Sequence, residues 1–137
     1  MLYDGVIVGL FLDSTIHLGW VTPVKNQGSC GSCYAFAPIA AAETALIKAG
    51  ADFDSMDLSE QWAMDCGGNG CASGYDTVIA NFLIGRGGGV LIKESDNPYE
   101  MVSRVCRNDL PYWNPGYKLL SYSYKRKCKD EGEYNLY

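Results

Sequence analysis

The chain has 137 residues, of which 47% are hydrophobic and 20% charged, and its formal net charge is −5. That length permits one compact domain with its own core, and the composition is that of a soluble globular protein, not a disordered one. The acidic balance argues against a nucleic-acid partner, and no apolar run is long enough for a membrane span. Six cysteines are more than a cytosolic domain of this size usually carries. They predict disulfides and an oxidising secretory route, with fifteen pairings open.

Residues 1–12 contain the apolar stretch Val6-Ile7-Val8-Gly9-Leu10-Phe11-Leu12. No basic residue precedes it and no small-residue cleavage site closes it, so it does not read as a signal peptide and its role stays unassigned. Residues 13–31 are turn-rich, with Trp20 and the extended Val21-Thr22-Pro23-Val24 leading into a glycine loop. A helix is expected over 32–48, with Phe36, Ile39, Ala40, Leu46 and Ile47 near helical spacing and Gly50 as its stop. Pro38 in its second turn removes a hydrogen bond and predicts a kink.

A second helix is expected over 58–66, with a serine near its cap, and a third over 76–84 carrying Val78, Ile79, Phe82 and Leu83. Gly85-Arg86-Gly87-Gly88-Gly89 follows a helix instead of joining strand to helix, so it reads as a helix stop and not a phosphate loop. Glu43 and Glu60 read as surface or helix-supporting carboxylates, not as an acid–base pair. From Pro111 the chain turns tyrosine-rich, and the alternation over 118–124 predicts a strand. Lys125-Arg126-Lys127 is followed at once by acidic residues and reads as a solvated loop.

The chemistry concentrates in Gln27-Gly28-Ser29-Cys30-Gly31-Ser32-Cys33. Nucleophilic cysteine catalysis needs a thiolate, donors aimed at a developing oxyanion, and a base that later protonates the leaving group. A cysteine at a helix start meets unpaired backbone N–H groups and a partial positive charge, which favour a thiolate. Cys33 can supply that thiolate, and the Gln27 amide and the Cys33 N–H can supply two donors.

The sixteen residues from Val21 to Phe36, with the core Cys30-Gly31-Ser32-Cys33-Tyr34, resemble the active-site segment of the papain-like cysteine peptidases. Leu58-Ser59-Glu60-Gln61 to Asp65-Cys66, Gly70-Cys71-Ala72-Ser73-Gly74-Tyr75 and Pro98-Tyr99-Glu100 extend the resemblance. It implies an α+β fold class, of which residues 13–137 are a part: the mainly helical left domain, with a long central helix starting at the nucleophile and a short extended C-terminal segment. The β-rich right domain is largely absent. It implies Cys33 as nucleophile, Gln27 as oxyanion donor, and Ser73 and Gly74 along the wall that receives substrate backbone. It further implies disulfides Cys30–Cys71 and Cys66–Cys106, no metal and no cofactor, a peptide or protein substrate, and a lysosomal or extracellular location. Cys128 has no partner in this scheme.

Four residues depart from the family pattern. Ser14 stands where an Asp-Trp pair is usual, Ala72 and Ser73 replace Asn-Gly, and Tyr34 replaces tryptophan. The family's base histidine and its asparagine lie about 130–150 residues beyond the nucleophile, past Tyr137. The sole histidine, His17, lies on the wrong side of Cys33 and reads as a solvated loop residue. The expectation is therefore half an active site, whose partners are the C-terminal half or a propeptide-like inhibitor.

The alternatives are a catalytically inactive relative that binds peptides, a buried inert Cys33, and a thiol–disulfide oxidoreductase using Cys30 and Cys33. The redox reading fails on context, because a polar loop and not a buried strand precedes the motif. A zinc site at Cys66 and Cys71 is weaker still, since no second metal-type pair follows.

Overall fold

The computed structural model describes residues 18–85, 91–114 and 117–122. The apolar segment 1–12, Ser14, His17, the glycine run 86–89, the basic run 125–127 and Cys128 lie outside the described residues. A 3-10 turn, Leu18–Trp20, precedes three helices: α1 (Cys33–Ala49), α2 (Glu60–Gly67) and α3 (Asp76–Gly85).

The helices pack on one another around Ile39, Leu46, Leu58, Met64, Ile79 and Leu83. Helix α1 is buried on most sides, and Ala41, Ala42 and Ala45 let neighbouring backbone approach it closely. It runs unbroken through the buried Pro38, although the missing N–H leaves the Tyr34 carbonyl without its usual donor. It stops at Gly50, whose φ of 121° is readily open only to glycine. Helix α2 starts on Ser59, whose Oγ accepts from the Trp62 N–H at 2.9 Å. The Trp62 ring meets Phe82 of α3 with centroids 4.7 Å apart.

No strand forms among the described residues; isolated bridges join Gly31 to Ala72, Leu58 to Lys93 and Leu91 to Trp113. This is the mainly helical half expected of the left domain. The strand expected over 118–124 is not formed in its described part. Leu119 is buried, whereas Leu120 is 75% exposed. Leu119 fills a crease beside Ala42, Ala80 and Leu83, and no neighbouring strand offers a ladder.

Candidate active site

Ser32 precedes α1 but does not cap it: its side chain makes no cap hydrogen bond and instead meets the Tyr99 hydroxyl at 2.8 Å. Cys33, the first residue of α1, has no preceding turn to receive its N–H. Cys33 is exposed and is the free cysteine among the described residues, so it is not a buried inert thiol. Cys30 is bonded to Cys71, which removes it from any redox pairing with Cys33, and Cys66 is bonded to Cys106. Neither Cys66 nor Cys71 is left to hold zinc.

The loop before α1 turns tightly at Gly28, where φ is 65°. Met101 covers that turn so closely that a Cβ on Gly28 would meet its side chain. Gln27 Nε2 donates to the Cys30 carbonyl at 2.9 Å, so the amide is held at the base of the turn that ends in Cys33. An amide nitrogen carries two N–H groups, and this bond uses one of them.

The Cys30–Cys71 link and the Gly31–Ala72 bridge bring the second glycine-rich segment beside the turn. Gly31 fits because its α-carbon faces the Cys71 carbonyl, which would lie 2.7 Å from a Cβ. Beyond it opens a cleft of about 420 Å³, lined in part by Tyr34, Gly68, Asn69, Ser73, Gly74 and Tyr75. Ser73 has φ 70°, the left-handed region that favours glycine, at one of the positions where the family pattern has Asn-Gly.

Tyr34 anchors this wall. Its hydroxyl donates to the Gly70 carbonyl and accepts from the Asn69 N–H, both at 2.8 Å. Burial pushes its pKa above the ordinary value, so the hydroxyl keeps the proton it donates. The sequence marked Tyr34 as a substitution, but the two backbone groups it joins lie 35 and 36 residues away and carry no sequence signal.

Behind the site lies an ionic cluster in which Glu43 and Glu60, read as surface or helix-supporting carboxylates, are buried and not at the surface. Glu43 is 1% and Glu60 2% exposed. Lys25 Nζ lies 3.2 Å from Glu43, 2.7 Å from Glu60 and 2.7 Å from Asp57. Glu43 also accepts from the Leu58 N–H at 2.8 Å and from the Thr22 hydroxyl at 2.5 Å. These partners permit a carboxylate inside the protein. Burial raises the Glu60 pKa to about 7, with the Lys25 charge acting against that shift. Burial alone would lower Lys25, but the neighbouring carboxylates outweigh it and hold the ammonium firmly protonated. The cluster borders an apolar groove of about 240 Å³ lined by residues 21–25, Phe36, Ala37 and Ala40.

Comparison with known proteins agrees with this geometry. The family model described as papain family cysteine protease matches residues 11–135. Cysteine proteinase 1 of Entamoeba histolytica is 42% identical over 97 residues, which are 67% of this chain and 30% of that protein. Cysteine proteinase 6 of Dictyostelium discoideum is 38% identical over 111 residues, 76% of this chain and 24% of that protein. Among solved structures, the bromelain protease from Ananas comosus in complex with the E64 inhibitor aligns with a TM-score of 0.57 at 36% identity. That alignment covers 69% of this chain and 43% of the bromelain chain. The chain belongs to the papain family of cysteine proteases, and it spans under half the length of these relatives.

Proposed function

We propose that this chain carries the nucleophile-bearing half of a papain-like cysteine endopeptidase. The observation that supports this most strongly is an exposed, unbonded Cys33 at the first position of α1, next to a Cys30 already committed to Cys71. In the proposed reaction Cys33 Sγ attacks a peptide carbonyl, forming an S–C bond while the carbonyl π electrons move to oxygen. The Cys33 N–H and the second N–H of the Gln27 amide stabilise that oxyanion. Ser73 and Gly74 bind the substrate backbone along the cleft. The base that protonates the leaving amine comes from residues outside this sequence.

The partners are a peptide or protein substrate, the complementary C-terminal half of the peptidase, and a propeptide-like inhibitor. The location proposed is lysosomal or extracellular. Two disulfides support an oxidising route, and no helix among the described residues is long and apolar enough to cross a membrane.

Competitive labelling tests the reading. Iodoacetamide should modify Cys33 and Cys128 of the oxidised protein and spare Cys30, Cys66, Cys71 and Cys106, as read by peptide mass mapping. A peptidyl vinyl sulfone should select Cys33 over Cys128, because Cys33 immediately precedes Tyr34, which lines the proposed substrate cleft. Protection of Cys33, labelling of Cys30, or equal peptidyl labelling of Cys33 and Cys128 refutes the assignment.

A further inference from the structure

The Gln27 amide can stabilise an oxyanion only if the loop that carries it stays in register with the start of α1. Within the loop the Cys30 carbonyl accepts from both the Gln27 amide at 2.9 Å and the Ser32 N–H at 2.8 Å, and the Gly28 N–H donates to Asn26 Oδ1. A further link, to the backbone that carries the Gln27 amide, comes from a distant segment. The Tyr99 hydroxyl donates to the Gln27 backbone carbonyl at 2.6 Å and lies 2.8 Å from Ser32 Oγ. A phenol has one proton, and that proton goes to Gln27, so Ser32 is the donor in the second bond. Ser32 is fully buried and is bonded through its backbone to Cys33. One hydroxyl therefore ties together the residue that offers the oxyanion donor and the residue that precedes the nucleophile.

Tyr99 is itself held on two sides. Its N–H donates to Glu94 Oε1 at 2.7 Å, and its ring meets Phe36, in the first turn of α1, edge to face with centroids 4.9 Å apart. Glu94 is in turn tied to the start of α2, since its N–H donates to the Asp57 carbonyl.

We infer that Tyr99 is a positioning residue for the oxyanion site: its hydroxyl fixes the Gln27 loop against Ser32 and so sets the Gln27 amide relative to Cys33. This rests on the proposed role of Gln27, and the test separates the two. A peptide aldehyde adds to Cys33: an S–C bond forms, the C=O π electrons move to oxygen, and the thiol proton ends on that oxygen. The hemithioacetal oxygen so formed still accepts hydrogen bonds, so the adduct reports the donors at that position. Iodoacetamide alkylation displaces iodide, forms no oxyanion, and reports the thiol alone.

For Tyr99→Phe the aldehyde Kd should rise roughly tenfold, while the Cys33 alkylation rate stays within about twofold of wild type. Gln27→Ala should weaken aldehyde binding at least as much. The double variant should match Gln27→Ala alone, since Tyr99 acts through Gln27. A purely structural role would instead change alkylation too, or add to Gln27→Ala. The inference is overturned if Tyr99→Phe binds aldehyde like wild type while Gln27→Ala does not, or if the two effects add. If Gln27→Ala changes nothing, or wild type binds no aldehyde, the oxyanion reading fails and this inference with it. Should Tyr99→Phe lose its near-UV circular dichroism, Ser32→Ala severs the same tether from the helix side and is judged by the same results.

Discussion

Cys33 differs from the other described cysteines in being exposed and in lacking a sulfur partner. Around it, single atoms decide whether the loop can close. Gly31 is the sharpest case, because a Cβ there would sit 2.7 Å from the Cys71 carbonyl oxygen, which is backbone and cannot swing aside. Gly28 is less demanding in space, since the obstacle is the flexible end of Met101, but its φ of 65° strains any other residue. Gly31→Ala should therefore destabilise the protein by about 1–3 kcal/mol, the usual range for overpacking. It should also separate the Ala72 wall from the loop. Urea unfolding measures the first effect, and an unchanged midpoint would show that the close approach is not needed.

Among the elements, α1 and α2 are joined by charge as well as by apolar packing. Lys25 bridges Glu43 of α1 and Glu60 of α2, and one ammonium among several carboxylates does not offset the burial of Glu60. Glu60 Oε2 is buried with no hydrogen-bond partner. Its folded pKa of about 7 lies above the ordinary 4.5, so the folded state binds the proton more tightly than the unfolded chain does. The stabilising contribution is complete below about pH 4.5 and is lost as pH rises through about 7. Glu60→Gln should flatten the fall in Tm between those limits, measured by thermal unfolding at several pH values. A slope as steep as that of wild type would locate the titration elsewhere.

At the scale of the whole molecule, the described residues line a cleft beside Tyr34, the residue after the exposed Cys33, and an apolar groove bordered by Glu43 and Glu60. Peptide hydrolysis also needs a proton delivered to the leaving amine. This chain alone should therefore show negligible turnover of a fluorogenic peptide, and robust turnover that survives His17→Ala would overturn that view. The family and three helices were legible in the sequence, because they depend on local signals: apolar spacing, a serine cap, a glycine stop and a sixteen-residue motif. The strand expected over 118–124 does not form in its described part, because an alternating pattern says nothing about whether a neighbouring strand exists to pair with it. Glu43 and Glu60 were misread because their burial depends on Lys25, which is 18 and 35 residues away along the chain. The hydroxyls of Tyr34 and Tyr99 were silent for the same reason, since Tyr99 reaches Gln27 across 72 residues. Residue order determined that a cysteine stands at the start of α1, because a helix start and a side-chain identity are local properties. Tertiary structure alone decided what holds that group in place, because the hydrogen bonds and charges that do so join atoms brought together only by folding.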